Sequence, residues 1–272
     1  MSAPSMATPF HDLARKRDLW WQFTIRTVEL RHRGSYLGIV WAVLTPLLML
    51  GLYYVVFGQI FGGSFGVLPD ETRTDYALAF FLGLILHQVT SETLSLAPGI
   101  ILSNPNLVKK VVFPLDLLPL AQLGASWFNL LISITLMVVG AVALGRGVTI
   151  AGLVWLPVIL LPLLLLTAGL GWLFAALGVF FRDLGQIMPF VGQVVLYASA
   201  VVYPIAKIPA EIWAFLKWNP LLHSIELARD ALVWDTALNL THLGYTYAAG
   251  ITVFLFGRWV FLKLQTTFAD VI

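Results

Sequence analysis

The chain has 272 residues, of which 59% are hydrophobic and only 11% charged, against roughly 25% charged in an average soluble domain; its mean hydropathy is +0.88. So much apolar surface excludes a soluble fold of this size and makes a bilayer the solvent for most of the chain. The formal net charge of +2 gives no reason to expect a nucleic-acid partner, and the absence of cysteine removes disulfides, thiol nucleophiles and Cys-type metal sites from consideration.

Residues 1–19 carry Arg15, Lys16 and Arg17 but no apolar core. They do not read as a secretory signal peptide, so the first span is expected to serve as the insertion signal. Residues 12–33 read as an amphipathic helix. Asp18, Gln22, Arg26, Glu29 and Arg33 fall on one face, and Leu19, Trp20, Trp21, Phe23, Ile25, Val28 and Leu30 cover the rest. Such a helix lies in the interface plane, with aromatics among headgroups and arginines near phosphates; the same pattern also suits a plain anchor and topology signal.

Six windows beyond it lack Asp, Glu, Lys and Arg: 34–69, 76–91, 117–145, 147–181, 184–206 and 236–257. A crossing needs about 20 mostly apolar residues, and the windows predict six transmembrane helices near 37–61, 76–98, 117–144, 151–180, 186–206 and 241–262. Pro157, Pro162 and Pro189 are tolerated inside them because neighbouring helices can satisfy the freed carbonyls. Residues 208–235 fit neither class, being too charged to span and too apolar for a free loop. Pro220 is expected to divide them into two short helices, read as a re-entrant helical hairpin on the outer face between spans 5 and 6; an amphipathic connector on the membrane surface is the other reading. The whole is an all-α membrane protein, with 1–272 forming one transmembrane domain.

Six crossings put both termini on one side. Arg15, Lys16, Arg17, Arg26, Arg31, Arg33, Lys109, Lys110, Arg182, Arg258 and Lys263 would share that side, against Arg73, Arg146, Lys207, Lys217 and Arg229 on the other. The positive-inside rule makes it the cytoplasm.

Catalytic chemistry is hard to find. His87 and Glu92 are five residues apart, so they do not share a helix face well; His87 reads best as a hydrogen-bonded packing residue and Glu92 as a residue near the cytoplasmic end of its helix. His11, His32, His87, His223 and His242 form no metal-ligand spacing, and neither a Gly-x-Ser-x-Gly elbow nor a phosphate-binding Gly-rich loop is present. The sequence therefore reads as a non-enzyme with no cofactor of its own, and ATP-driven work would need a partner. Scarce intramembrane charge disfavours a proton-coupled transporter, and the lack of clustered acids or histidines disfavours a lipid-modifying enzyme.

Four stretches carry a family resemblance. Arg31-His32-Arg33-Gly34-Ser35-Tyr36-Leu37-Gly38, with Trp41 and Thr45-Pro46 beyond it, resembles the approach to the first span of type-2 ABC exporter permeases, most closely the branch exporting O-antigen, capsule and teichoic-acid polymers. Residues 104–118 (NPNLVKKVVFPLDLL) resemble that family's cytoplasmic segment between the second and third spans, and Phe181-Arg182-Asp183-Leu184 its turn after the fourth. Ala200 to Pro204, Trp218-Asn219-Pro220 and Arg229 resemble its outer hairpin region, with Ala200 standing where a Ser is expected.

The resemblance implies a homodimeric permease in a bacterial inner membrane, paired with two copies of an ATPase that holds ATP and Mg, and moving a polyprenyl-linked polysaccharide. Export of a small hydrophobic drug or lipid is the alternative within the same fold. Arg31 and Arg33, with Gly34, Tyr36, Leu37 and Gly38, are expected to receive the lipid pyrophosphate, because arginine's planar fork pairs with phosphate oxygens; topology control explains the same charges. Tyr53, Tyr54, Phe57, Phe61, Trp127, Tyr197 and Tyr203 are candidates to line a glycan channel, although membrane aromatics also face lipid. Asn104, Pro105, Lys109, Lys110, Arg182 and Asp183 are candidates for ATPase coupling. Trp213, Trp218, Asn219, Pro220 and Arg229 are candidates for an outer gate.

Overall fold

The computed structural model describes residues 9–109, 113–145 and 147–272, with side chains from Lys16 onward other than His32; Lys110, Arg146 and the side chain of Arg15 lie outside the described residues. Among the described residues the regular structure is helical throughout. Five of the described helices are long and apolar enough to cross a membrane. The first, α2, spans Gly38–Phe61: it opens as a 3-10 turn at Gly38–Val40, is α-helical over Trp41–Tyr53, and widens to a π-helix at Tyr54–Phe61. The others are α3 (Arg73–Ile100), α5 (Leu117–Ala143), α6 (Ile150–Phe180) and α10 (Leu240–Leu264). Around them lie α1 (Pro9–His32), α4 (Pro105–Lys109), α7 (Leu184–Ala198), α8 (Ala210–Leu216), α9 (Pro220–Arg229) and α11 (Phe268–Val271).

Side-chain caps set several boundaries within a few residues of those expected. Thr72 and Asp75 form a reciprocal capping box that starts α3, three residues earlier than the apolar window suggests. Thr149 accepts from the Gly152 amide at the start of α6, and Asn239 from the amides of Thr241 and His242 at the start of α10. Glu71 organises the loop before α3, its carboxylate accepting from the amides of Phe65 and Gly66 and from the Ser64 hydroxyl.

The bundle centres on α3, whose side chains are enclosed along most of its length by α5, α6, α7 and α9. Lipid offers apolar side chains no penalty, so helix association in membranes depends on close backbone approach. Small residues supply it here. A Cβ on Gly257 of α10 would stand 2.0 Å from the Gly169 carbonyl oxygen of α6, and one on Gly178 of α6 would stand 2.1 Å from that of Pro98 in α3. A second, smaller core joins Ile101, Leu118, Trp172, Phe261 and Phe268, with Leu107 and Val108 of α4 and Phe23 of α1 packed on it.

The helix expected over 12–33 is α1, and it docks on α5. Trp20 donates its indole N–H to the Leu120 carbonyl at 3.0 Å, Thr24 is buried against Gly124, and the Phe23 ring meets Phe113 at 4.8 Å. Trp21 and Ile25 remain exposed.

The largest departure is at the fifth expected span, 186–206. Helix α7 stops at Ala198 after 15 residues, about 22 Å of helix, which is short of a hydrocarbon core of about 30 Å. The turn at residues 199–201 is the reason. Ala200 adopts a left-handed φ of 49°. The carboxamide of Asn219 donates to the Ala198 carbonyl and the Ser199 hydroxyl, and Arg229 takes the carbonyls of Ala200 and Val201. The carbonyls at the end of α7 and just beyond it are thus satisfied by Asn219 and Arg229 of the α9 segment, and another helical turn would forfeit those bonds. Residues 208–235 do form two short helices parted just before Pro220. The second, α9, has Pro220 in its first turn, is capped by Asn219, and runs into a π turn at Asp230–Trp234 that is buried in the bundle.

Candidate functional site

A cleft of about 430 Å³ opens between α2, α3 and α5. For an intramembrane space its wall is rich in uncharged polar groups: Thr45, Gln88, Ser126, Asn129 and Ser133, with Trp41, Tyr53 and Phe81 supplying aromatic faces. The Asn129 carboxamide oxygen is buried without a hydrogen-bond partner, an acceptor that costs free energy until something donates to it. At one end of the cleft the guanidinium of Arg31, carried in by the last turn of α1, meets the carboxylate of Glu92 on α3 at 2.7 Å and donates to the Ser126 hydroxyl on α5 at 3.2 Å. The two side chains are only 18% and 19% exposed.

Beyond that ion pair lies a second cavity of about 680 Å³, lined from α1 by Arg26 and Thr27, from α3 by Ser95 and Gly99, and from α5 by Gln122. A third space, about 890 Å³ and almost wholly apolar, runs under α1 between α5, α6 and α10. At the other end of the bundle aromatic rings form a continuous series. Tyr53 meets Phe80 edge-on at 5.3 Å, Phe57 stacks on Phe80 at 3.9 Å, and Tyr76, Phe65 and Trp234 carry the contact toward the π turn after α9.

A family model described as ABC-2 type transporter matches residues 18–233. The chain belongs to the ABC-2 type transporter family. Among its relatives, an O-antigen export system permease protein RfbA of Klebsiella pneumoniae is 26% identical over 255 residues, covering 94% of this chain and 95% of the relative. The polysialic acid transport protein KpsM of Escherichia coli is 27% identical over 212 residues, covering 77% and 79%. A Myxococcus xanthus O-antigen export permease RfbA is 29% identical over 229 residues, covering 84% of each chain.

In this ABC-2 chain the residues singled out from sequence separate into groups. Arg31 reaches into the bundle, whereas Arg33, Gly34, Tyr36 and Leu37 are exposed in the turn between α1 and α2. That turn is made by Gly34 and Gly38, with φ of 88° and 51°, a region glycine enters without steric cost. Tyr53 lines the polar cleft and Phe57 belongs to the aromatic series, while Phe61 and Tyr197 are exposed and Tyr54 accepts from Gln59. Trp127 lines the apolar space under α1 rather than the cleft, and Tyr203 donates its hydroxyl to the Tyr197 carbonyl.

Asn104 donates to the Ile100 carbonyl just before α4, which Pro105 opens. Lys109 is exposed at the far end of α4, and Arg182 and Asp183 are exposed in the turn between α6 and α7.

Of the hairpin residues, Trp218 is exposed and Trp213 half-buried, and the Trp218 carbonyl accepts from Tyr245 of α10 at 2.6 Å. Arg229 is a structural clamp at 0% exposure. It donates to the carbonyls of Ala79, Ala200 and Val201 and to Glu226, and it lies over the Phe65 ring.

His87 and Glu92 go to different partners: His87 bonds through Nε2 to the Gly192 carbonyl of α7 at 2.9 Å, and Glu92 turns to Arg31. Nothing in the sequence alone marks Gln88, Asn129 and Ser133, and Glu92 reads there only as a helix-end residue. A polar residue every few positions on α3 and α5 was the available signal, and it only gains meaning once both faces are seen to converge on one cleft.

Proposed function

We propose that this chain is the permease subunit of an ATP-driven exporter that moves a lipid-linked polysaccharide across the bacterial inner membrane. The observation that carries the reading is the cleft between α2, α3 and α5, where amides, hydroxyls and aromatic faces line the wall and the Arg31–Glu92 ion pair stands at its end. Uncharged polar groups give a sugar hydrogen bonds, and aromatic rings give its C–H faces a surface. Without strong fixed charge, a polymer can slide rather than stick. The relatives' names, O-antigen export and polysialic acid transport, support the same substrate class.

In this reading the chain crosses six times, with α7 as a short crossing completed at the outer face by the re-entrant α8–α9 hairpin, and both termini lie in the cytoplasm. Two copies pair to form the pathway, and two ATPase subunits, holding ATP and Mg, engage α4 and the turn at Arg182 and Asp183. Arg31 and Arg33 receive the phosphate of the lipid carrier. Replacing Arg33 with Gln is expected to reduce export severalfold while leaving insertion and ATPase pairing intact. The measurement is accumulation of lipid-linked polymer on the cytoplasmic face of cells carrying the variant, and normal export would refute the phosphate role. The apolar space under α1 favours a second reading, export of a small hydrophobic drug or lipid; stimulation of the complex's ATPase by such compounds but not by lipid-linked polymer would select it.

A further inference from the structure

Arg31 and Glu92 stand in the walls of two cavities at once: the polar cleft of about 430 Å³ and the cavity of about 680 Å³ at the α1 end. Their 2.7 Å ion pair, with the bond from Arg31 to Ser126 beside it, is therefore a partition between the two spaces, closed between α1 and α3 by the carboxylate of Glu92. The chemistry on the α1 side is that of an anion site. Arg26 joins Arg31 in its lining, and the Nε2 amide of Gln122, a donor, is buried without an acceptor. A carboxylate and a phosphate offer arginine the same acceptor geometry, but the phosphate has more oxygens to place. An extra oxygen is what the buried Gln122 amide lacks, and Arg26, which lies over the Phe23 ring in the same lining, adds positive charge.

We infer that Glu92 is a built-in substitute for a phosphate group: it holds Arg31 while the site is empty, and a lipid-linked phosphate or diphosphate displaces it and joins the two cavities. This rests on the phosphate reading of Arg31 proposed above and adds the competitor that sets its affinity. Displacement leaves Glu92 beside a second anion, and repulsion between them favours the open arrangement. Any ligand without an anionic group lacks the means to displace the carboxylate, so the partition discriminates at the threshold of the cleft.

The absence of cysteine allows a direct test. Ser133→Cys places a single thiol in the cleft, and a membrane-impermeant maleimide is applied to the α1 side of vesicles bearing the full chain. Adding Glu92→Gln is expected to speed labelling about fivefold or more, a span typical of coupling between sites. In the Ser133→Cys protein with Glu92 intact, undecaprenyl diphosphate in the vesicle membrane is expected to do the same. If pyrophosphate in solution also does so, the headgroup alone suffices; if only the lipid does, the ligand must be anchored.

Unchanged labelling in the Glu92→Gln variant overturns the partition and leaves the phosphate reading standing. Faster labelling in that variant, with no response of the intact pair to either phosphate compound, overturns the exchange and the phosphate reading together. Should Glu92→Gln fail to accumulate, Glu92→Asp withdraws the carboxylate from Arg31 and reads the same way. The double exchange Arg31→Glu with Glu92→Arg is expected to restore slow labelling.

Discussion

Replacing Arg229 with alanine is expected to destabilise the protein by about 3–5 kcal/mol, the range for removing one member of a buried ion pair. The guanidinium is fully buried and donates to three backbone carbonyls on two separate segments, Ala79 of α3 and Ala200 and Val201 in the turn after α7, as well as to the Glu226 carboxylate. Alanine would take their donor from the carbonyls of Ala200 and Val201 in the turn, remove the tie to α3 at Ala79, and leave the Glu226 carboxylate without its counter-ion. Lysine is expected to rescue little, because a single ammonium cannot span acceptors that a planar fork reaches at once. Gly83 reports on the same clamp: a Cβ there would stand 2.7 Å from the Arg229 guanidinium. Thermal unfolding of detergent-purified protein checks the prediction, and a variant as stable as the parent would show that the turn after α7 holds itself.

The second large effect is expected at Gly257. Valine there would drive a Cβ to 2.0 Å from the Gly169 carbonyl oxygen, against backbone that has no flexible side chain to yield. Overpacking of ordinary cores costs about 1–3 kcal/mol, and this site lies at or above the top of that range. Helix α10 would have to part from α6 along the seam where Gly250 also sits against the Pro162 carbonyl and Gly169 against that of Val253. The variant is expected to fail to accumulate in the membrane. Gly244→Ala on the same helix, which would meet nothing within 4 Å, is expected to behave as the parent; equal levels for both variants would refute the seam.

Apolar windows located the long helices to within a few residues because bilayer crossing leaves a composition signal that needs no partner. Caps such as Thr72, Thr149 and Asn239 then explain the small shifts. The end of α7 was not legible. Residues 199–206 are as apolar as the helix before them, and what stops the helix is a set of hydrogen bonds from Asn219 and Arg229, residues 20 or more positions away. Arg229 itself illustrates the limit: in sequence it is an arginine in an outer connector, and only the packing of α3 and α9 turns it into a buried clamp. The candidate site divides the same way. The basic approach to the first span was visible as charge, but the partner of Arg31 was not, because Glu92 lies 61 residues on and reads alone as a helix-end residue.

The brevity of α7 has a consequence for the membrane itself. If α7 crosses as proposed, its 15 residues beside α3 and α6, of 28 and 31 residues, set a thickness mismatch on one flank of the protein. Under the six-crossing reading, the lipid there must thin, at a cost of fractions of a kcal/mol for each ångström, or the buried α9 must stand in for missing hydrocarbon. Either way that flank becomes a gauge of bilayer thickness, so the acyl-chain length of the host membrane acts on the turn that Arg229 holds.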